Sequence, residues 1–374
     1  MTRRGHGEGS IYRQNDKLWA AAITLPNGRR QIFYAPTRTE AAAKLNSALH
    51  ARDAGVVIPT GRETVGAFFA RWLGGAQAQL RPRTWQRYEQ LVRLQVVPTL
   101  SQVKLTALAP DDLQRLYAHL LQSGLSPASV HHTHMLIHRA LGQGVRWGVL
   151  SRNVADLVDP PRVARAEMRT LSAAQVGQLL EATSADRMAA LWVVAVTTGM
   201  RQGELLGLQW RNVDLEGRSL QVVGSLQPIK GEGLQFLEPK TAQSRRRVQL
   251  VDMAVEALKT HRAKQLQDRL QSGGRWPADS DWVFANSVGG PLDPFRTRRL
   301  FWAALKAADL PAVRFHDLRH TAATLMLSRG VHPKVASEML GHATVAVTLD
   351  LYSHVSEPMH RSAAEAIEAA IRES

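Results

Sequence analysis

The chain has 374 residues, 44% of them hydrophobic, so it is long enough for two or three domains and apolar enough to bury cores. Lys and Arg outnumber Asp and Glu by 47 to 32, which gives a formal net charge of +15. This excess suits a polyanionic partner such as DNA, although a basic protein without such a partner has the same composition. There is no cysteine, which excludes disulfides, thiolate metal sites, iron–sulfur clusters and cysteine nucleophiles.

Membrane insertion and secretion are not expected. No apolar run approaches the roughly 20 residues of a membrane span. The first ten residues, MTRRGHGEGS, lead into no apolar segment of the kind that a secretory signal contains. We therefore expect a cytoplasmic protein that meets DNA, with no membrane partner.

The first 58 residues predict a small antiparallel sheet followed by a helix. An apolar strand over 18–25 leads into the turn Pro26-Asn27-Gly28, and a strand resumes over 31–34. A short strand near 10–13 can pair with this hairpin. The segment 39–53 is helical in pattern and ends before Gly55. Its predicted apolar stripe contains Ala42, Leu45, Ala48 and Leu49.

Residues 62–158 predict an all-helical unit of four or five helices. Pro110-Asp111-Asp112 begins one helix, with the acidic side chains at its positive end, and Ser126-Pro127 begins another that runs to Trp147. Two apolar faces are predicted, one with Val65, Phe68, Phe69 and Trp72, the other with Thr84, Tyr88, Leu91 and Leu94. Pro160-Pro161 and the charged stretch 162–169 then read as a linker.

The remainder of the chain predicts a mixed α+β unit. Ser172 has the position of a helix N-cap. Helices alternate with a β-rich patch at 220–223, 234–238 and 247–250, and the chain is helical in pattern beyond it.

Five short stretches place polar or charged residues where a buried helix or a turn does not ordinarily have them. They are TGMRQGEL (198–205), EPKT (238–241), HDLRHT (316–321), LGH (340–342) and TLDLYSH (348–354). Arg201 follows an apolar run, so it is costly there unless it pairs with Glu204 or binds an anion. Lys240, between two strands of a predicted hairpin, either reaches from the tip of a turn into a cleft or is simply solvated.

The third stretch brings two histidines and an arginine together. His316 and Arg319 are three positions apart and share a helical face, with His320 beside them. A zinc site is disfavoured, because the arginine repels a cation and no suitable carboxylate or thiol ligand is evident. Tyr352 alone fits an ordinary core or surface aromatic residue. Each stretch alone has such an explanation, so a functional interpretation requires all five together, in this order.

Together with the SRRR that follows Lys240, the five stretches resemble the active-site signature of the tyrosine recombinase (phage integrase) family. The preceding helical unit, up to Asn153, resembles that family's core-binding domain, and the N-terminal sheet and helix resemble its arm-type DNA-binding domain. The resemblance implies an arm-type domain over 1–58, a helical core-binding (SAM-like) domain over 62–158 and a catalytic domain over 168–374. The predicted fold class is therefore multidomain and mainly α, with a small N-terminal β-sheet plus helix and a mixed α+β catalytic domain.

The resemblance also implies a catalytic set, matched position by position. Its members are Arg201 as the first arginine, Lys240 as the hairpin lysine, His316 and Arg319 as the HxxR pair, His342 as the second histidine, and Tyr352 as the nucleophile.

This set suits phosphoryl transfer on chemical grounds. A neutral phenol is a poor nucleophile and must lose its proton as it attacks the phosphodiester. Arg201 and Arg319 can hold the phosphate oxygens as negative charge grows there. We expect His342 to donate a hydrogen bond to the phosphate, His316 to accept the tyrosine proton, and Lys240 to protonate the departing 5′-oxygen. The expected product is a 3′-phosphotyrosyl intermediate, rejoined without ATP, metal or cofactor; no GxxxxGK[ST] stretch is present.

Candidate DNA contacts lie in the first two predicted domains, although a solvated basic face explains them equally well. They are Arg13, Lys17, Arg29 and Arg30 around the hairpin, and Arg81, Arg83 and Arg87 in the helical unit. His131, His134 and His138 share a helical face, for which phosphate contacts or partial burial are favoured over a metal site.

The expected partners are double-stranded attachment sites and further copies of the chain. By resemblance, the core-binding and catalytic domains clamp opposite sides of the duplex. The amphipathic segment 362–371 packs either on a neighbouring protomer, which predicts a homotetramer on DNA, or on its own domain. A directionality factor and a DNA-bending protein are further candidate partners.

The function predicted from the sequence is site-specific recombination that integrates or excises a phage or other mobile element. A type IB topoisomerase would use nearly the same active site, but the arm-type domain and the separate helical unit argue against it. The complete set from Arg201 to Tyr352 argues against a catalytically silent DNA-binding regulator. A lack of clustered carboxylates disfavours a metal-dependent nuclease.

Overall fold

A computed structural model describes residues 9–24, 28, 30–53, 62–164, 168–238, 245–341, 344–346, 348–349, 368 and 371–372. The chain divides into two compact units, Met1–Arg165 and Ala166–Ser374. Over the described ranges, no helix combines the length and apolarity needed to cross a membrane.

The first unit begins with the predicted sheet and helix. Strands β1 (Ser10–Asn15), β2 (Leu18–Thr24) and β3 (Arg30–Ala35) form an antiparallel sheet in that order, and α1 spans Arg38–Asp53. The small core contains Ala21, Ile23, Ala35, Ala41, Leu45 and Ala48.

The buried stripe of α1 differs from the prediction at its first position. Ala41 is fully buried, whereas Ala42 is half-buried. Positions 41, 45 and 48 follow the 3.6-residue repeat of a straight helix, which explains why Ala41 belongs to the stripe.

The rest of the first unit is all-helical, as predicted. Thr64 and Ser126 cap two of its helices by accepting the backbone N–H groups of Ala67 and Ser129. A π-helical turn at Val92–Val96 joins the second helix to the third. The helices are α2 (Val65–Gln77), α3 (Pro82–Leu91), α4 (Val97–Leu100), α5 (Pro110–Gln122) and α6 (Pro127–Arg146).

The apolar faces of these helices match the prediction except at Leu94. Phe68, Phe69 and Trp72 are buried, but Leu94 is exposed. Leu94 lies in the π-helical turn, whose wider spacing directs Val92 and Val96 inward instead.

The described residues of the second unit form seven α-helices and five strands. Trp192 lies at the centre of its core, with its ring centroid 5.5 Å from that of Phe301 and 6.0 Å from that of Phe315. The helices are α7 (Ala173–Ala182), α8 (Ala189–Thr198), α9 (Gln202–Leu206), α10 (Asp252–Ser272), α11 (Pro294–Ala307), α12 (Asp317–Ser328) and α13 (Pro333–Leu340). The strands are β4 (Val213–Asp214), β5 (Ser219–Val222), β6 (Ser225–Ile229), β7 (Gly233–Leu237) and β8 (Arg246–Gln249).

The pairing of these strands corrects one sequence prediction. The expected hairpin of 234–238 with 247–250 is wrong, because β7 pairs with β6, whereas β8 pairs with β5. The sheets have the orders β4-β5-β8 and β6-β7. The two strands that flank Lys240 in the sequence thus belong to different sheets, and Lys240 itself lies outside the described residues.

Candidate active site

Arg201 is positioned by a chain reversal at the end of α8. Gly199 ends that helix with φ +61°, a conformation that favours glycine, and a Cβ at this position would overlap the Leu340 side chain. The reversal makes Arg201 the N-cap of α9. Its backbone N–H and its Nη1 both donate to the Glu204 carboxylate, at 3.0 and 2.8 Å.

Arg319 enters the same region from α12. It lies in the first turn of that helix, is 3% exposed, and donates from Nη1 to the Gly199 carbonyl at 2.8 Å. The start of α12 is fixed by Asp317, whose carboxylate accepts the backbone N–H of Arg314 at 2.7 Å and its guanidinium at 2.8 and 3.1 Å. The buried arginine is therefore held by helix geometry as well as by its own hydrogen bond.

A third guanidinium, that of Arg246 on β8, completes the cluster. Its side chain is 7% exposed, donates to the Met339 carbonyl at 2.9 Å, and contacts both oxygens of Glu204 at 2.9 and 3.3 Å. Arg201 also donates to the Gly341 carbonyl at 2.9 Å. The three arginines thus tie the ends of α8 and α13 to the body of the unit.

One buried carboxylate balances these cations only in part. Burial alone would raise the pKa of Glu204, but the hydrogen bonds and charges of Arg246 and Arg201 outweigh it and hold that pKa below its ordinary value. Burial, reinforced by the charge of Arg201, lowers the pKa of Arg319 to about 9. Arg319 is still charged at neutral pH, so the cluster has three positive charges to one negative and favours an anion.

Two histidines border the cluster: His316 is the N-cap of α12, and His320 lies within that helix. Their ring centroids lie 5.0 Å apart. Burial lowers the pKa of His316 to about 4, and the neighbouring His320 and the charge of Arg319 act in the same direction. Burial is also the largest influence on His320, whose pKa is lowered. Both rings are therefore neutral at pH 7, and each can donate one hydrogen bond and accept another.

Two buried nitrogen atoms in this region have no hydrogen-bond partner among the described residues. They are Arg319 Nη2 and His320 Nδ1. An unsatisfied buried donor is costly and uncommon in native proteins, and a guanidinium donor is most readily satisfied by an anion. An oxyanion such as phosphate has the charge and the acceptor atoms that this arrangement could satisfy.

The structure brings together those predicted catalytic residues that it describes. The charges of Arg319 and Arg201 contribute to lowering the pKa of His316, and the charge of Arg201 contributes to lowering the pKa of Arg319, so the three side chains lie close together. Lys240, His342 and Tyr352 lie outside the described residues. Arg201 does pair with Glu204, but Glu204 also pairs with Arg246. One carboxylate therefore cannot neutralise both guanidiniums.

Sequence reasoning missed Arg246, although a local signal was available. Positions 245–247 are all arginines, and only Arg246 faces the core. Val248 on the same strand is buried, and side chains two positions apart in a strand share a face. The alternation thus indicates an inward-facing arginine at 246.

The candidate DNA contacts of the first unit do not form one cluster. Arg13 lies beside the β1–β2 turn with Lys17, whereas Arg30 begins β3 at the other end of the sheet. Arg83 and Arg87 are exposed one turn apart on α3, and Arg81 is its N-cap. Arg29 lies outside the described residues.

The three histidines of α6 share a face, as predicted. The ring centroid of His134 lies 6.4 Å from that of His131 and 6.0 Å from that of His138. His134 Nδ1 lies 3.0 Å from the Tyr117 hydroxyl, and His138 Nε2 lies 2.7 Å from Asp156. Within the described part of the chain, no group of three or more potential ligands is arranged to hold a metal ion.

Comparison with known proteins places this site in a family. The family model described as "Phage integrase family" matches residues 169–359, and "Phage integrase, N-terminal SAM-like domain" matches 64–121. The chain is similar to an integrase of Streptomyces ambofaciens, at 31% identity over 379 residues, which cover 97% of this chain and 96% of that relative. It is also similar to a XerC-like tyrosine recombinase of Caldanaerobacter subterraneus subsp. tengcongensis, at 29% identity over 361 residues, which cover 91% of this chain and 92% of that relative.

Solved structures confirm the fold class. The Tn1549 transposon integrase in complex with transposon right end DNA matches with a TM-score of 0.71 and 21% identity, covering 82% of this chain and 99% of that chain. The family model covers the segment that contains Arg201, Arg246 and Arg319, and the Streptomyces relative extends the likeness over nearly the whole chain. The chain belongs to the phage integrase family of tyrosine recombinases, enzymes that cut and rejoin DNA.

Proposed function

We propose that this recombinase acts at specific attachment sites and integrates or excises a mobile element through a covalent link between Tyr352 and a 3′-phosphate. One observation carries the proposal. Arg319, at 3% exposure, has a donor without a partner in the described structure, beside Arg201 and His316. A scissile phosphate supplies the anion that this donor lacks.

The chemistry follows from these charges. Arg201 and Arg319 hold the non-bridging oxygens and stabilise the negative charge that grows on them as the phenol attacks. His316 is neutral at pH 7 because its pKa is lowered to about 4, so it can take the tyrosine proton. When phosphate occupies the site, its negative charge raises the pKa of His316 and strengthens it as a base.

Two further residues complete the proposed set. His342 follows Gly341, whose carbonyl is held by Arg201, and we assign it a hydrogen bond to the phosphate. Lys240 is the proposed acid that protonates the departing 5′-oxygen. The new phosphotyrosyl bond conserves the energy of the cleaved phosphodiester, so a 5′-hydroxyl of another strand can reverse the step without ATP.

The domain organisation and the assembly are also proposals. Separate hydrophobic cores over 21–48 and 65–158 support an arm-type domain distinct from a core-binding domain, although both belong to the first compact unit. Solved relatives include a lambda integrase tetramer bound to a Holliday junction, at 17% identity. We propose a homotetramer on two duplexes in the cytoplasm, assisted where required by a directionality factor and a DNA-bending protein.

The test is covalent trapping on a nicked attachment-site duplex in the presence of EDTA. We expect the wild-type chain to form an adduct that survives denaturing electrophoresis, Tyr352→Phe to form none, and Tyr34→Phe, at another of the five tyrosines, to form a normal amount. Peptide mapping should place the DNA on Tyr352. Cleavage that requires Mg²⁺ and persists in Tyr352→Phe contradicts the proposal. Relaxation of supercoiled plasmid without any joining between duplexes indicates a topoisomerase instead.

A further inference from the structure

A groove beside the candidate active site carries features that the cutting chemistry does not use. It has a volume of about 520 Å³ and lies between α11 and the segment that begins α12. Its lining includes Phe295, Arg298, Arg299, Trp302, Arg314 and His316. The volume falls within the range of roughly 300–1,000 Å³ that holds small organic ligands. Since His316 belongs to both, a molecule in the groove adjoins the phosphate site.

Two large aromatic side chains are exposed along the groove. Trp302 is 64% exposed and Phe295 is 60% exposed, whereas Phe301, between them on the same helix, is fully buried. Positions 295, 298, 299 and 302 recur at intervals of three and four residues, so they form one face of α11. Exposed aromatic rings on one helical face are typical of a binding surface.

The charge of this face selects the class of partner. The sequence of α11 contains three arginines and one lysine, with no acidic residue. The Arg298 guanidinium stacks on the Phe295 ring, 4.6 Å from its centroid, and the Arg314 guanidinium is paired with Asp317. No ion pair involving Arg299 is found in the described ranges. Flat rings alternating with guanidiniums suit nucleobases joined by phosphates better than they suit an apolar peptide.

We propose that this groove binds unpaired nucleotides of the cut strand, with a base stacked on Trp302 and a phosphate held by Arg299. The proposal rests on the proposed function, because a strand that is joined to a second duplex must first leave its own. The bases next to the cut then lose their pairing, and exposed rings beside the phosphate site can stack with them. The groove would hold the freed end close to the reacting phosphate until a new partner strand arrives.

The test uses the full chain and a short probe of known structure. The probe is a 12-nucleotide dT strand with one central 2-aminopurine, a base whose fluorescence is quenched when it stacks. It is used either as a single strand or paired with its complement. We expect the 2-aminopurine fluorescence of the single strand to fall when the protein binds and that of the duplex to stay the same. Trp302→Ala should weaken single-strand binding about tenfold, as expected for one base on one aromatic ring, and should remove most of the quenching. Trp302→Phe should retain both, because a smaller ring still stacks.

The matched control is Leu270→Ala, which removes another exposed apolar side chain, on α10 of the same unit. It should bind the single strand as the wild type does. The proposal is overturned if Trp302→Ala binds and quenches the single strand normally, if it weakens binding of the duplex equally, or if it changes the oligomeric state and not the affinity for the strand. The last outcome assigns the groove to a protein partner.

A second measurement separates this proposal from the proposed function. Trp302→Ala should still form the Tyr352 adduct on a nicked duplex, while joining of the cleaved strand to a second duplex falls about tenfold. If adduct formation itself is absent from the wild type, the proposed function fails whatever the groove binds. If the adduct forms and joining is normal in Trp302→Ala, the groove proposal alone fails.

Discussion

Two clusters of ionisable side chains, one in each unit, differ in how completely their buried polar atoms are satisfied. In the first unit, His134 contacts the Tyr117 hydroxyl and His138 contacts Asp156. In the second unit, Arg319 and His320 each have a buried nitrogen atom without a partner among the described residues. Of these two clusters, only the second contains, among the described residues, buried side-chain nitrogen atoms without a hydrogen-bond partner, which a ligand can satisfy.

The unsatisfied cluster of the second unit is expected to lower the folding stability of the protein. Burial lowers the pKa of Arg319 to about 9, which means that the surrounding protein disfavours its charged form. A protein that keeps such a residue loses folding stability, and binding an anion recovers it. The histidines of the first unit carry no comparable unsatisfied charge. Substitutions in the two clusters should therefore change activity and stability in different combinations.

The largest effect is expected from Arg319→Met, which keeps the length of the side chain and removes its charge. Adduct formation should fall about 10³-fold, because a donor to the developing negative charge is lost. The free energy of unfolding should nevertheless rise, by about 1–2 kcal/mol, since the burial that lowers the pKa of Arg319 penalises its charge and methionine carries none. Single-turnover adduct formation and guanidinium unfolding measure the two quantities.

Arg329→Met provides the matched control for this prediction. Arg329 follows the same helix at its other end and is exposed. Its substitution should leave the rate of adduct formation and the unfolding transition nearly unchanged. A large loss of stability in Arg319→Met would mean that the guanidinium is satisfied after all, and the contrast between the two clusters would disappear.

The next effect is expected from Glu204→Gln, which removes the negative charge shared by Arg201 and Arg246. Stability should fall by about 3 kcal/mol, because two buried or half-buried guanidiniums then lack a counter-charge. Adduct formation should fall about 10²-fold as Arg201 loses its position. Glu256→Gln, on the exposed part of α10, is the control and should alter neither quantity. Retained activity in Glu204→Gln would show that Arg201 does not need this carboxylate for its placement.

The pH dependence of cleavage tests the role of His316. With a pKa lowered to about 4, its ring stays neutral as the pH falls through the ordinary histidine range. At subsaturating DNA, the rate should therefore persist at pH 6 and decline only nearer pH 4. At saturating DNA, the phosphate should raise the pKa and move the decline to higher pH. His316→Gln should lower the rate about 10²-fold and remove this limb, whereas a decline centred at the ordinary histidine pKa at low DNA would argue against the assignment.

The parts of the fold that local signals determine were predicted correctly. Ser126 and Ser172 are N-caps, and each accepts a backbone N–H as such a residue should. The strand pairing was not predictable in the same way. Pro228 interrupts the alternating pattern of β6, so the sequence predicts a loop there and gives β7 the wrong partner.

The candidate site shows the same division between local and distant information. His316 and Arg319 are three positions apart, and their shared helical face could be read directly from the sequence. The contacts of Arg246 join it to Glu204 and Met339, which are 42 and 93 positions away. No periodicity of the sequence encodes such separations, because they depend on how β8, α9 and α13 pack. Burial of Arg319, and hence the sign of its pKa shift, is likewise a property of the assembled unit.

The smallest effect is expected from His134→Phe in the first unit. The ring is replaced by one of similar size, and the Tyr117 hydroxyl loses its partner, so stability at pH 7 should fall by about 1 kcal/mol. Burial, and next the positive charges of His138 and His131, lower the pKa of His134. The unfolded chain therefore binds a proton at a higher pH than the folded chain does, and this contribution to stability is lost as the pH falls below the ordinary histidine pKa. The difference between variant and wild type should then shrink at pH 5 in urea unfolding, while adduct formation stays unchanged, because His134 does not belong to the proposed catalytic set.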